Sequence, residues 1–157
     1  MILNVHGSSL GNPGVSGFRG LLRNDDGAWY SGFSGNIGFS NIMHAKFLAV
    51  YHGLRMAWEF GMSELVCYSD SKTAIKLIKK PVKEWHHYVA ILYNIQELLS
   101  RDWQVELVHT LREGNVCADY LAKIWASSLE TYESFAAPPD GINNLLLAYA
   151  SGIFFPR

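Results

Sequence analysis

The stretch Glu64-Leu65-Val66-Cys67-Tyr68-Ser69-Asp70-Ser71-Lys72 decides the fold. Residues 64–68 are a compact apolar run of strand length, and residues 69–71 are types that commonly cap a helix. We therefore predict a strand that passes directly into a helix, which ends near Lys80 because Pro81 follows. Asp70 would then lie at the acidic tip of this junction.

The residues before the junction predict antiparallel strands. Residues 2–6 form a short apolar run, and residues 7–14 are rich in turn-forming types. Residues 15–23 and 29–34 flank Asp26-Gly27, a dipeptide typical of a hairpin turn. These patterns predict three antiparallel strands.

Helical spacing of apolar residues begins after Asn41, the expected N-cap, and ends before Gly61, the expected C-cap. Further helices are predicted over residues 88–99 and 115–126, with a strand over 105–109 between them. Right-handed crossover connections would place the later strands in the same sheet as the first one. The sequence thus predicts a mixed α/β domain.

Composition limits the classes of function. Of 157 residues, 49% are hydrophobic and 17% are charged, below the roughly 25% charged residues of typical soluble domains. The net charge is −1, from 13 Lys+Arg and 14 Asp+Glu, which excludes a histone-like nucleic-acid binder and an acidic disordered tail. A local basic patch remains compatible with these numbers. We expect one domain over residues 1–130, with a C-terminal tail, 131–157, packed on it.

Cysteine spacing and hydropathy indicate the compartment. Cys67 and Cys117 lack the spacing of a zinc site or a disulfide framework, and we expect buried free thiols. The first residues lack a signal-peptide pattern, and no uncharged apolar run approaches 18 residues. A soluble, intracellular protein of the cytoplasm or nucleus is expected, without a membrane partner.

Four blocks of sequence carry a family resemblance: residues 4–14 (NVHGSSLGNPG), 44–46 (HAK), 68–72 (YSDSK) and 109–122 (HTLREGNVCADYLA). In this order and spacing they resemble the ribonuclease H-like superfamily, specifically the plant retroelement-derived domain often called reverse-transcriptase-like. The resemblance covers nearly the whole chain. It implies a five-stranded mixed sheet with three antiparallel strands and flanking helices, and an RNA–DNA hybrid ribonuclease activity that uses Mg²⁺ or Mn²⁺.

The family's chemistry requires four acidic residues that hold two divalent cations about 3.5–4 Å apart. By resemblance these positions are His6, Lys46, Asp70 and Asp119, so only two acids remain. The formal charge of the site changes from −4 to −1 with His6 neutral, and a lysine repels a metal ion. We expect weak metal binding, if any, at Asp70 and Asp119, and hybrid cleavage that is lost or weak.

Other roles for these residues stay open. The Lys46 ammonium could neutralise Asp70 and Asp119 in place of a cation, or His6 could join the two carboxylates in a manganese or zinc site. Alternatively, His6 is a strand-end imidazole bonded to a neighbouring carboxylate, Asp70 caps a helix and Asp119 is an exposed helix residue. His109 lies at the interval from Asp119 where some family members keep a mobile histidine that assists proton transfer or product release. It is equally compatible with a strand-end core histidine.

Substrate contacts are predicted in two places. A basic helix continued by aromatic residues resembles the hybrid-binding region of several family members, the alternative being a solvated helix face. Its candidate nucleic-acid contacts are Lys72, Lys76, Lys79, Lys80, Lys83 and Trp85. The loop over residues 11–14 corresponds to a region that approaches the RNA strand in family members, and Asn12 is its candidate contact. The expected partner is RNA–DNA hybrid or structured RNA.

Three functions remain open from the sequence: a nucleic-acid-binding domain that cleaves poorly, an active metal-dependent ribonuclease with an altered ligand set, and a protein-interaction module on the same fold.

Overall fold

The computed structural model describes residues 1–110 and 132–136. Within them, one mixed sheet is flanked by three helices, as the predicted mixed α/β class requires. The strands are β1 (Ile2–Leu10), β2 (Gly14–Arg23), β3 (Trp29–Ser40), β4 (Glu64–Ser69), β5 (Gln104–His109) and β6 (Glu133–Phe135). The helices are α1 (Ile42–Glu59), α2 (Lys72–Lys79) and α3 (Val89–Leu99).

The strand order in the sheet is β5-β4-β1-β2-β3-β6. The first three strands are antiparallel neighbours, β4 runs parallel to β1, and β5 runs parallel to β4. Three details of the prediction are wrong. The described residues hold six strands rather than five, because β6 pairs with the edge of β3. In addition, β1 extends to Leu10 and β3 extends to Ser40, because residues 7–10 and 35–40 both pair with β2. The β6 pairing joins segments that are remote in sequence, whereas the other two differences lengthen hairpins between consecutive strands.

One face of the sheet forms the core against α1. Leu3 and Val5 of β1 are at most 1% exposed. They pack closely on α1 at Gly53, where an added Cβ would lie 2.8 Å from a Leu3 methyl carbon. Cys67 on β4 is buried as predicted, and burial raises the pKa of its thiol to about 12. The inward face of β1 is therefore packed tightly against α1.

Caps define the helix bounds. Asn41 is the N-cap of α1 as predicted, and its side chain accepts a hydrogen bond from the His44 N–H. The C-cap of α1 is Phe60, and Gly61 follows it with a φ of 76°, a conformation that glycine adopts without a Cβ penalty. Ser71, not Asp70, caps α2 by accepting from the Ala74 N–H.

Part of the prediction lies outside the described residues: the helix over 115–126, most of the tail, Cys117 and Asp119. In the part of the chain that the structure describes, no helix is long and apolar enough to cross a membrane.

Candidate functional site

His6 and Asp70 meet where β4 ends beside the middle of the parallel strand β1. The register pairs Val5 of β1 with Ser69, the last residue of β4, so His6 and Asp70 each follow a directly paired residue. His6 Nδ1 lies 3.3 Å from Asp70 Oδ2. Of the open alternatives for His6, an imidazole beside a carboxylate is the geometry that the structure shows.

Lys46 reaches the same carboxylate from the second turn of α1. Its Nζ atom lies 3.0 Å from Asp70 Oδ1 and donates a hydrogen bond to it. This approach requires Gly7, because a Cβ at position 7 would lie 2.4 Å from both the Ala45 carbonyl carbon and the Lys46 backbone nitrogen. The glycine lets α1 contact the backbone of β1 directly, which brings Lys46 to Asp70.

The three side chains form a mostly buried cluster, with exposed fractions of 8% for His6, 14% for Asp70 and 16% for Lys46. Burial by itself would raise the pKa of Asp70, but the adjacent His6 imidazole and the charge of Lys46 outweigh it. The pKa of Asp70 is therefore held well below its usual range. Asp70 is an ionised partner of Lys46 throughout the physiological pH range.

This arrangement does not fit the two-cation site of the family. Both oxygens of Asp70 already have a nitrogen partner, and one of these partners is the Lys46 ammonium. A metal ion at Asp70 would have to displace the Lys46 ammonium or tolerate its repulsion. Among residues 1–110 and 132–136, no group of three or more His, Cys, Asp or Glu side chains is placed to hold a metal ion. Asp119, the remaining candidate ligand, lies outside these residues.

Arg19 is a residue of this region that sequence reasoning missed. It lies opposite His6 in the β1–β2 register, is fully buried, and its Nη2 atom donates to Ser8 Oγ at 2.6 Å. Directly opposed residues of antiparallel strands project from the same face, so the Arg19 guanidinium places a buried positive charge on the His6 face of the sheet. The alternation of side chains along β2 could have shown which residues share a face of the sheet with Arg19. Only the register with β1 shows that His6 lies on this face as well.

His109 ends β5 and lies opposite Ser69 in the register with β4. Ser69 directly precedes Asp70 in the sequence. The Thr110 N–H donates to the Ser69 carbonyl at 2.9 Å and holds the two strand ends together. The His109 side chain is exposed, so the core-histidine alternative is wrong. A role for His109 in proton transfer or product release stays a prediction.

The basic residues of α2 lie on its solvent side. Ile75 and Ile78 are buried and Leu77 is partly buried, so these apolar residues face the core. The exposed lysines of this region are Lys72, Lys76, Lys79, Lys80 and Lys83. Lys79 also donates to the Leu107 carbonyl at 3.3 Å, which ties α2 to β5.

The aromatic continuation of this surface is Trp85, whose side chain is 80% exposed. The Lys83 Nζ atom lies 5.3 Å from the centroid of the Trp85 ring, within cation–π distance. Asn12, in the loop between β1 and β2, is exposed, and its Oδ1 atom accepts from the Ile42 N–H at 3.1 Å. The Asn12 side chain therefore attaches the loop to the N-terminus of α1.

Comparison with known proteins gives one family and one curated relative. Residues 4–124 match the family described as reverse transcriptase-like. A provisionally named ribonuclease H protein of Arabidopsis thaliana is 35% identical over 155 residues, which are 99% of this chain. The chain spans 25% of the length of that relative.

Solved structures share the fold. An RNase H1 of Halobacterium salinarum matches with a TM-score of 0.69 and 24% identity over 76% of this chain and 92% of its own. The N-terminal RNase H domain of a Mycobacterium tuberculosis protein matches with a TM-score of 0.70 and 23% identity over 81% and 97% of the two chains. LC11-RNase H1, solved in complex with an RNA/DNA hybrid, matches with a TM-score of 0.69 and 24% identity over 76% and 91%. These likenesses establish an RNase H-like fold.

Proposed function

The chain belongs to the reverse transcriptase-like family, and from that membership we propose that it binds RNA–DNA hybrid or structured RNA and cleaves it weakly or not at all. The observation that carries the proposal is the Lys46–Asp70 ion pair, with 3.0 Å between Nζ and Oδ1. It occupies the position where, by resemblance, two carboxylates would share a metal ion.

Loss of cleavage follows from the chemistry of that position. Divalent cations activate water and stabilise the leaving oxygen of a phosphodiester, and each needs oxygen ligands. An ammonium group contributes one positive charge and no ligand. With Lys46 and His6 on the two oxygens of Asp70, the carboxylate is neutralised without a metal.

Nucleic-acid binding is supported by the exposed surface beside the cluster. Five lysines lie between residues 72 and 83 and, together with Trp85, combine positive charge with an exposed ring. Lysines of this kind bind phosphates independently of sequence, and an exposed ring stacks on bases or sugars. Binding should therefore weaken steeply as salt concentration rises, because phosphate contacts release counterions.

The decisive experiment compares four proteins: wild type, His6→Asp, Lys46→Glu and the double variant. Each receives labelled RNA–DNA hybrid with Mg²⁺ or Mn²⁺, and both binding and cleavage are measured. We expect all four to bind and only the double variant to cut. Robust cleavage by the wild type that disappears in Asp70→Asn would instead establish an active ribonuclease with an altered ligand set.

A protein-interaction module is the second candidate, and one observation favours it. Leu10, Val15 and Phe39 are opposed in register on three adjacent strands and are 73%, 47% and 76% exposed. Such an apolar strip is typical of a surface that another protein covers. If the wild type shows no salt-dependent binding of hybrid or RNA, and Phe39→Ser abolishes capture of a protein partner, this candidate replaces the first.

A further inference from the structure

The N-terminus of α1 is a hydrogen-bonded junction between the two surfaces that carry the predicted nucleic-acid contacts. Asn41 Oδ1 accepts from the His44 N–H at 2.9 Å and from the Tyr88 hydroxyl at 2.7 Å. Asn12 Oδ1 accepts from the Ile42 N–H at 3.1 Å. The β1–β2 loop and the residue that precedes α3 are therefore both bonded to the first turn of α1.

Tyr88 is held by its ring as well as by its hydroxyl. Its ring lies edge-on to Phe47, with 5.3 Å between the ring centroids, and to His87, with 4.8 Å between them. It occupies the N-cap position of α3 but makes no side-chain cap bond there. Packing keeps the ring against α1, and the directional bond to Asn41 fixes where along α1 it sits.

The turn that carries Lys83 and Trp85 is continuous with Tyr88. The His86 N–H donates to the Lys83 carbonyl at 2.9 Å, and the Tyr88 N–H donates to His86 Nδ1 at 3.1 Å. These short-range bonds fold residues 83–88 into one local unit. A shift of Tyr88 relative to α1 would therefore move Lys83 and Trp85 with it.

We propose that Asn41 and Tyr88 are positioning residues that set the spacing between the β1–β2 loop, at Asn12, and the turn that bears Lys83 and Trp85, so that one nucleic-acid duplex contacts both at once. This inference rests on the proposed function. Two contact regions on one ligand reinforce each other only when their separation matches the ligand. If the separation varies, fewer phosphates are contacted at the same time.

The test compares Tyr88→Phe with Tyr93→Phe, which removes the hydroxyl of an exposed tyrosine on α3. Binding of an RNA–DNA hybrid is measured by fluorescence anisotropy over a range of salt concentrations. For Tyr88→Phe we expect a Kd increase of about 3-fold to 10-fold. The salt slope, which is the slope of the logarithm of the binding constant against the logarithm of the salt concentration, should decrease in magnitude by about 1, the equivalent of one phosphate contact. Tyr93→Phe should match the wild type. A purely structural loss would lower the active fraction and leave the slope unchanged.

Asn41→Ser provides a second variant that keeps a helix-capping oxygen but shortens the side chain. It should reproduce the reduced salt slope. The double variant Asn41→Ser with Tyr88→Phe should bind hybrid as tightly as Asn41→Ser alone, because both changes remove the same Tyr88–Asn41 bond. Additive losses, or a slope equal to that of the wild type in Tyr88→Phe, would overturn the proposal.

Hydrogen exchange without nucleic acid separates this inference from the proposed function. In Tyr88→Phe, the amides of residues 83–88 and the Ile42 amide, which donates to Asn12 of the β1–β2 loop, should exchange faster than in Tyr93→Phe. Unchanged exchange of the Ile42 amide refutes the coupling even if hybrid binds. If the wild type binds no nucleic acid, the proposed function fails, while faster exchange at both places still supports the coupling.

Discussion

The Lys46 Nζ atom lies 3.0 Å from Asp70 Oδ1, and both side chains are mostly buried. A lysine thus neutralises the carboxylate that, by resemblance to the family, would ligate a metal ion. The pair joins α1 to the end of β4, so it contributes to stability as well as to the charge of the site.

Removing the carboxylate should destabilise the fold. Asp70→Asn leaves the Lys46 ammonium without its counter-charge in a poorly solvated position, and we expect a loss of about 1–3 kcal/mol in urea denaturation at pH 7. Glu97→Gln is the matched control, because its ion pair with Arg101 is exposed and should be worth less than about 1 kcal/mol. Equal stability of the two variants would show that the buried pair contributes nothing.

The same pair gives a pH dependence. Because the pKa of Asp70 is lower in the folded protein than in the unfolded chain, its stabilisation is fully present above about pH 4, the usual range of an aspartate, and is lost as pH falls below it. Asp70→Asn should lack this part of the acid-induced loss. The measurement is the free energy of unfolding from pH 2 to pH 7.

Metal affinity should depend on positions 6 and 46. Calorimetric titration of the wild type with Mg²⁺ should show no tight site, whereas His6→Asp combined with Lys46→Glu should create one, because two carboxylates replace an imidazole and an ammonium. Lys46→Gln removes the charge that repels Mg²⁺ but adds no carboxylate ligand. It should therefore bind Mg²⁺ less tightly than the double variant. Tight Mg²⁺ binding by the wild type would contradict this prediction.

Gly7→Ala should displace α1 from β1. The added Cβ would lie 2.4 Å from the backbone of Ala45 and Lys46, a distance that requires the backbone to move. We expect a loss of about 2–4 kcal/mol in the free energy of unfolding. Gly38→Ala is the control, since nothing lies within 4 Å of its added Cβ and only the positive φ opposes the change, at about 1 kcal/mol. A smaller loss for Gly7→Ala than for Gly38→Ala would refute the close approach.

His52 should make stability pH-dependent in a second range. Its ring stacks on Phe18 at 4.6 Å between centroids, and burial, assisted by Arg55, lowers the pKa of His52 from 6.5 to about 4. Between these values the unfolded chain binds more protons than the folded protein, so stability rises with pH. His52→Phe keeps the stacking on Phe18 but has no group that titrates at this position. Between pH 7 and pH 4 its free energy of unfolding should therefore fall by about 2 kcal/mol less than that of the wild type. Parallel pH profiles would contradict the prediction.

Hybrid binding should depend on the turn beyond α2. Lys83→Gln should lower the salt slope of binding by about 1, and Trp85→Ala should weaken binding by about 1–3 kcal/mol without changing that slope. Arg55→Gln, which removes an exposed cation near the other end of α1, is the control and should bind as the wild type does. Equal effects of Lys83→Gln and Arg55→Gln would place the interface elsewhere.

The sequence alone determined the features that depend on neighbouring residues. Hairpin turns, helical spacing and capping residues act over a few positions, so the antiparallel strands, the β4–α2 junction and the Asn41 cap could be read directly. Residue identity at positions 6 and 46 likewise showed which acids the family pattern lacks. These signals are local, so they predict the type and place of an element better than its exact bounds, which pairing with other strands also sets.

Only the tertiary structure decided which of these residues touch. The parallel register of β1 and β4 brings His6 to Asp70, and the close approach of α1 at Gly7 brings Lys46 to the same carboxylate. The pairing of β6 with β3 and the bond from Tyr88 to Asn41 also join segments that are remote in sequence. Such contacts depend on how strands pair and helices pack, whereas the periodic pattern of one segment identifies its buried face but not which remote segment will cover that face.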